Sequence, residues 1–316
     1  MFAIIHLSFL FHLSKTLNCK TFNILPLWIT AGITPLYFIL PFEKAGLNLS
    51  KTTVNSLFFF VGTYATIALH QWILNVVLCA SAIGYLGATI SNRTKLIQPF
   101  LPAIYAGCFA GMANIIYFKA HYFPWEVTTV IASIVGGIIL SLLDKSLIGF
   151  GGILGSIGFG SVFIISAFGS DTINPIIYTT RIPISETAII FGVASLGAVS
   201  THYLSAKKNW NSIKASAFLA FIASSILYGV KTFQVDFIYP NMELLSFVFF
   251  GGTFVGMTSS HLFKFGKLII ATAVFSFLFI AFNPSFQSIG GALGTTACIS
   301  VIFVHLASKL TKTLKK

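Results

Sequence analysis

Residues 268–308 read LIIATAVFSFLFIAFNPSFQSIGGALGTTACISVIFVHLAS, and these 41 positions contain no Asp, Glu, Lys or Arg. About 20 apolar residues cross the hydrocarbon core of a bilayer as a helix. The stretch is therefore long enough for two membrane spans. The polar pair Asn283-Pro284 predicts the break between them.

Similar charge-free stretches recur along the whole chain. They cover 21–42, 52–92, 96–118, 127–143, 146–170, 187–206, 215–230 and 244–263. Residues 52–92 also number 41, and His70-Gln71-Trp72 predicts a break between two spans there. Eleven spans follow from this reading, and residues 1–14 add a short twelfth. The predicted fold class is an all-α, polytopic integral membrane protein with 11–12 transmembrane helices.

The composition supports a surface that faces lipid. Of the 316 residues, 56% are hydrophobic and 8% are charged, whereas a soluble globular chain carries about 25% charged residues. The lipid bilayer is therefore the first predicted partner. The formal net charge is +12, but the basic residues fall one to three at a time between apolar runs. A nucleic-acid partner needs a clustered basic face, so none is expected.

The distribution of Lys and Arg predicts the orientation, because cytoplasmic loops carry the excess of these residues. With twelve spans, one set of loops carries five of them and the other set, with the C-terminal tail, carries fourteen. We expect the richer side, and hence the C-terminus, to lie in the cytoplasm at the cytoplasmic (inner) membrane. The richer set is Lys44, Lys51, Arg93, Lys95, Lys145, Lys207, Lys208, Lys214, Lys264, Lys267, Lys309, Lys312, Lys315 and Lys316.

Two short signatures occur twice in the same order. Tyr105-Ala-Gly-Cys-Phe-Ala-Gly-Met112 returns as Phe250-Gly-Gly-Thr-Phe-Val-Gly-Met257, with four of eight positions identical. Further along, Gly151-Gly-Ile-Leu-Gly-Ser156 returns as Gly290-Gly-Ala-Leu-Gly-Thr295. The offsets of 145 and 139 residues agree with one duplication that has acquired small gaps.

The duplication predicts the domain organisation. Residues 53–168 form a first five-helix repeat and residues 186–309 a second one. Residues 1–52 supply one or two extra N-terminal helices, and residues 310–316 form a basic cytoplasmic tail. Five spans per repeat mean that the second copy enters the membrane from the opposite side, so we expect a 5+5 inverted repeat.

Inverted repeats are typical of secondary transporters, whose binding sites lie near the midplane between the repeats, often at interrupted helices. We therefore predict a permease that moves a small polar solute, with a binding site at the repeated glycine motifs. Gly151-Gly152 and Gly290-Gly291 are expected to open their spans. The predicted substrate-binding residues are Gly107, Gly111, Asn114, Gly152, Gly155, Ser156, Gly252, Thr253, Gly256, Thr258, Gly291, Gly294 and Thr295.

Three other interpretations are open. The small-xxx-small spacing of these glycines is also the pattern that lets helices pack closely, with no site at all. A passive channel for a neutral solute or ion is favoured by the lack of an acidic residue in the middle of any span, because that lack weakens proton-driven transport. A structural membrane protein without transport is the third. A homo-oligomer is compatible with each of them.

Few titratable groups are available for chemistry. The chain has seven Asp and Glu, and no metalloprotease, serine-hydrolase or paired-carboxylate motif, so we expect neither an enzyme nor a metal or cofactor. Histidines are the remaining titratable candidates, and the repeat suggested that His70 and His202 occupy matching positions.

Overall fold

The computed structural model describes residues 48–73, 75–113, 124–143, 146, 148–167, 186–232, 242–286 and 290–313. The predicted N-terminal helices before residue 48 lie outside these residues. So do Asn114 and the last residues of the basic tail. All statements below concern the described part of the chain.

The described residues form ten α-helices and no strand. In chain order these are α1 (Leu49–His70), α2 (Val76–Arg93), α3 (Leu101–Gly111, after the 3₁₀ turn Gln98–Phe100), α4 (Trp125–Leu143), α5 (Ile153–Ala167), α6 (Thr187–Lys207), α7 (Ser212–Thr232), α8 (Met242–Gly256), α9 (Phe265–Phe286) and α10 (Ala292–Thr313).

The first two helices show how the polar breaks start and stop a span. Asn48 caps α1 by accepting a hydrogen bond from the Lys51 backbone N–H at 3.2 Å. The helix ends at His70, as the sequence predicted. Asn75 then caps α2 by accepting from the Leu78 N–H at 2.9 Å. Short asparagine side chains thus satisfy the backbone donors at both starts.

The predicted break at Asn283-Pro284 is wrong in position. Helix α9 continues through these residues to Phe286, and α10 begins at Ala292 after the Gly290-Gly291 turn. Proline holds φ near the helical value, but it removes one i→i−4 hydrogen bond and crowds the preceding turn, and α9 ends two residues after it. The glycine pair, rather than the proline, precedes the new helix.

Five helices are long and apolar enough to cross a membrane: Leu49–His70, Trp125–Leu143, Thr187–Lys207, Ser212–Val230 and Ala292–Thr311. Their outward faces carry large apolar side chains. On α4 the exposed fractions of Val130 and Ile134 are 44% and 49%, and on α7 that of Ile226 is 61%. A helix face exposed to water is normally polar, so these faces suit lipid.

Helices α1 and α3 approach until their backbones touch, and helices α6 and α8 do the same. A methyl group added to Gly107 would collide with the backbone of Phe59, and one added to Gly252 would collide with that of Ala194. One turn later, an added methyl group at Gly111 would lie 2.8 Å from the Thr66 side chain. The four repeated glycines thus sit at two equivalent crossings, the fourth being Gly256 against Ala198 and Thr201.

The two crossings fix the register between α1 and α6. Gly62 faces the backbone of Ile104 on α3, and Gly197 faces that of Phe249 on α8. Counting from this pair places His70 opposite Ser205, so the suggested match of His70 with His202 is wrong by three residues. The sequence comparison aligned the two histidines, whereas the contacts between helices align the glycines.

Candidate functional site

Helix α3 is too short to cross a bilayer alone. It has 11 residues, which at 1.5 Å per residue span about 16 Å, against roughly 30 Å of hydrocarbon. Helices α5 and α8 contain 15 described residues each. The C-terminal ends of α3 and α8 and the first turns of α5 and α10 are buried, so these four helices begin or end inside the protein.

The first of two junctions joins the end of α8 to the start of α5. Here the Gly151 N–H donates to the Thr258 hydroxyl at 3.2 Å. An added methyl group on Gly151 would lie 2.8 Å from that hydroxyl and would collide with the carbonyl of Phe254. The start of α5 therefore packs against the end of α8, although Gly151 and Thr258 are 107 positions apart in the chain. We call Gly151, Phe254 and Thr258 the first junction.

The second junction joins the end of α3 to the start of α10. An added methyl group on Gly290 would lie 2.5 Å from the carbonyl oxygens of both Phe109 and Ala110. Gly290 and Gly151 hold equivalent places in the repeated motif, and so do Phe109 and Phe254. The contact of the first junction thus recurs with the two repeats exchanged. We call Phe109, Ala110 and Gly290 the second junction.

Helices α5 and α10 cross between the two junctions. An added methyl group on Gly155 would lie 2.5 Å from the Cα of Gly294, and one on Gly294 would lie 2.6 Å from the Cα of Gly155. Gly152 packs against Cys298 on α10, and Gly291 packs against Phe159 on α5. At this crossing, α5 and α10 therefore make equivalent contacts with each other.

Gly152 and Gly291 also need the conformational freedom of glycine. Their φ angles are +84° and +81°, in the left-handed region that side chains with a Cβ avoid. These turns allow α5 and α10 to begin at the next residue, which confirms that each glycine pair opens a helix. The first intrahelical bonds are Ser156 N–H to Gly152 O at 3.1 Å and Thr295 N–H to Gly291 O at 3.0 Å. The backbone donors before them point out of the helix starts.

Polar side chains accompany both starts. The Thr295 hydroxyl donates to the Gly291 carbonyl at 3.1 Å, and the Ser156 hydroxyl lies beside the Cys298 thiol. At the first junction His202 Nδ1 lies 3.1 Å from the Thr258 carbonyl oxygen. The Ser259 N–H donates to the Gly149 carbonyl at 2.8 Å, so two hydrogen bonds join residues 149–151 to residues 258–259.

The structure brings most of the predicted site residues together. Those on α5 and α10 meet at their crossing, and Thr258 lies at the first junction. The glycines of α3 and α8 face inward to their own repeat, at the crossings with α1 and α6. In each case a neighbouring backbone or side chain fills the space of the missing Cβ, so close packing accounts for the glycines. Substrate binding at these residues stays a prediction.

Sequence reasoning missed a chain of hydroxyl groups one helix away. Tyr105 on α3 lies 3.0 Å from Ser216 on α7, which lies 2.8 Å from Thr253 on α8. The Thr253 hydroxyl donates to the Phe250 carbonyl at 2.6 Å. Tyr105 and Ser216 are 111 positions apart, and no local pattern marks Ser216. Tyr105 and Thr253 both stand in the repeated signature, but at different places in it, and only Thr253 was predicted as a site residue.

Four aromatic rings fill the centre beside these hydroxyls. Tyr105 packs edge-on against Phe109, with ring centroids 4.4 Å apart, and Phe250 lies 4.4 Å from Phe254. The two pairs meet where Phe109 and Phe254 pack edge-on at 4.8 Å. All four side chains are at most 2% exposed. We call them the aromatic quartet.

No family model matches the chain, and no curated protein or solved structure matches it.

Proposed function

We propose that the chain is a polytopic membrane transporter that moves a small polar solute across the cytoplasmic membrane. Its two five-helix repeats would be related by an approximate two-fold axis in the membrane plane, passing through Gly155 and Gly294. The observation that carries the proposal is the exchange of contacts: each repeat begins its last helix on the buried end of the other repeat's third helix.

The exchange supports opposite orientations of the two repeats. Gly152 meets Cys298 while Gly291 meets Phe159, which means that α5 and α10 run antiparallel past each other. An odd number of helices per repeat produces the same inversion when the chain crosses a bilayer five times. The apolar outer faces of α4 and α7 support the proposal that the protein lies in a lipid bilayer.

A carrier fits the central packing better than an open channel does. A channel needs a continuous polar path, whereas the aromatic quartet fills the space between α3 and α8. Four helix ends meet inside the protein, so solute reaching them from either face has less than a full span to cross. Alternating access would follow if the repeats rock about the Gly155–Gly294 crossing.

The experiment uses the full chain reconstituted in lipid vesicles. The vesicles are given a desalted extract of polar metabolites, and their contents are analysed by mass spectrometry after minutes. We expect at least one polar solute to enter in a saturable manner. Vesicles loaded beforehand with the same solute should take it up faster, by exchange. Vesicles without protein are the control.

The outcome separates the three functions. Saturable entry with accelerated exchange supports a carrier. Entry that rises linearly with concentration, without acceleration, indicates a channel and contradicts the carrier. Contents equal to those of protein-free vesicles, from protein that is folded and inserted, would indicate a structural role and reject transport.

A further inference from the structure

The Tyr105–Ser216–Thr253 hydroxyl chain joins the two repeats in a fixed direction. The Thr253 hydroxyl uses its proton on the Phe250 carbonyl, so its oxygen accepts from Ser216. Ser216 then uses its proton on Thr253 and accepts from the Tyr105 hydroxyl. All three side chains have no exposed surface. The Tyr105–Ser216 bond forms only while α3 stays against α7, whereas the other two bonds lie within residues 212–256.

The tyrosine hydroxyl is not needed for packing. Tyr105 stands two residues before Gly107, and Phe250 stands two residues before Gly252, so a phenyl ring fills the equivalent place in the second repeat. The Tyr105 ring lies over Gly84 of α2, where an added methyl group would come within 2.6 Å of it. A slot thus aims the hydroxyl at Ser216.

Separation of the repeats would leave the Tyr105 hydroxyl without an acceptor and the Ser216 oxygen without a donor. A buried polar group that loses its hydrogen bond is costly, so opening at this point requires a replacement partner. The replacement must offer both donors and acceptors, because the chain uses both. The buried residues packed around it are hydrophobic, and none of the buried residues in the described part of the chain is charged, so a charged solute would meet no opposite charge there.

We propose that this hydroxyl chain is the specificity-determining group of the carrier, and that it binds a neutral solute bearing hydroxyl or amide groups. The inference rests on the proposed function. In the closed arrangement the three hydroxyls satisfy one another. During transport the solute takes the place of the Tyr105–Ser216 bond, with the aromatic quartet as an apolar wall, an arrangement common in binding sites.

The test measures thermal shift of the purified full chain in detergent with named solutes. Uridine, glucose and inositol are the neutral probes, and glutamate, phosphate and spermidine are the charged ones. We expect at least one neutral probe to raise the melting temperature, with no shift from the charged probes. Tyr105→Phe and Ser216→Ala should each raise the half-saturation concentration about tenfold, as expected when one hydrogen bond is lost.

Two matched variants control for loss of a hydroxyl elsewhere. Tyr85→Phe changes a tyrosine on α2 that stacks on Phe221 outside the chain of hydroxyls. Ser224→Ala changes a buried serine on the same helix as Ser216, whose hydroxyl has no hydrogen-bond partner among the described residues. Both should keep the wild-type shift. A single gel-filtration peak shows that each variant is folded.

Three results would overturn the inference. These are no shift from any neutral probe, an equal shift from charged probes, and a shift that persists in both Tyr105→Phe and Ser216→Ala. Transport of extract metabolites by the wild type, unchanged in those two variants, would reject the hydroxyl chain while leaving the transporter intact. Absence of transport by the wild type would instead reject the proposed function.

Discussion

At the scale of single residues, glycine decides how closely the helices approach. Gly155 and Gly294 let two backbones touch, and an added methyl group at either one would overlap the other helix. Gly192 and Gly229, by contrast, have no atom within 4 Å of the added group. Glycine therefore has a packing role at the crossing and none of that kind on the outer faces of α6 and α7.

Gly155→Ala should destabilise the protein. The methyl group would meet the backbone of α10, which cannot move aside as a flexible side chain can, so we expect a loss of roughly 1–3 kcal/mol. The apparent melting temperature of the purified protein measures it. Gly192→Ala is the matched control, because alanine favours a helix and meets nothing there, so its melting temperature should be unchanged or higher. Equal effects of the two changes would contradict the packed crossing.

The sequence predicted some of these residues and not others. The glycines stood out because they repeat in order, and repeated packing needs repeated small residues. Tyr105 stands in a repeated signature, but Phe250 occupies the matching place, so the pattern did not mark its hydroxyl; Ser216 lies outside every repeated motif, and the contact between the two depends on the tertiary structure. The slot at Gly84 that aims Tyr105 is a contact between two helices, which no local pattern encodes.

At the scale of helices, charge-free stretches located the elements well, while their ends depended on packing. The stretch 187–206 became helix Thr187–Lys207, and the break after His70 is confirmed. The break at Asn283-Pro284 was misplaced, because α9 continues two residues past the proline and the next helix begins directly after Gly291, whose φ is positive. Hydropathy shows where the chain is apolar enough to form a buried or lipid-facing helix. It does not show at which residue the helix ends, because the ends depend on contacts with other helices.

The first junction offers a test of rocking between the repeats. An ideal Cβ at Gly149 lies 3.0 Å from the Cβ of Ser259, roughly half an ångström short of the Cβ–Cβ separation in a disulfide, so a small shift of the backbone would allow the bond. In the double variant Gly149→Cys/Ser259→Cys, oxidation should link the repeats and stop the transport of extract metabolites. A reducing agent should restore it, because only the link prevents the motion.

Each single variant controls for the substitution itself. Gly149 has a φ of +84°, so Gly149→Cys carries a local strain with or without the link. Both single variants should transport equally with and without oxidant. If the oxidised double variant transports as fast as its reduced form, although mass spectrometry shows the disulfide, the repeats do not separate at this junction.

At the scale of the whole molecule, the two proposed repeats share one pattern but differ in polar groups. Equivalent glycines make equivalent contacts, whereas Tyr105 is matched by Phe250 and Cys108 by Thr253. Among the described residues, the hydroxyl chain exists only once. If the chain is the proposed carrier, such a difference lets one solute bind between two similar halves in one orientation.

The charge distribution predicts which face of the molecule lies in the cytoplasm. Lys267 donates to Ser308 at 3.1 Å, so the start of α9 and the end of α10 lie at the same face. Lys95 lies in the connection between α2 and α3, and Lys208 lies in the connection between α6 and α7. Both connections belong to the same loop set. Fourteen of nineteen Lys and Arg belong to this set, and such an excess is retained in the cytoplasm.

A fluorescent protein that matures only in the cytoplasm should therefore be bright when fused after Lys316. It should be dark when inserted after residue 181, which belongs to the loop set with five basic residues. A phosphatase that is active only outside the cytoplasm should give the opposite pattern at the two positions, which controls for poor expression. The reverse result for both reporters would mean that the orientation in the membrane is opposite to the predicted one. Equal brightness at the two positions would place them on one side and would require an even number of spans between them, contradicting opposed repeats.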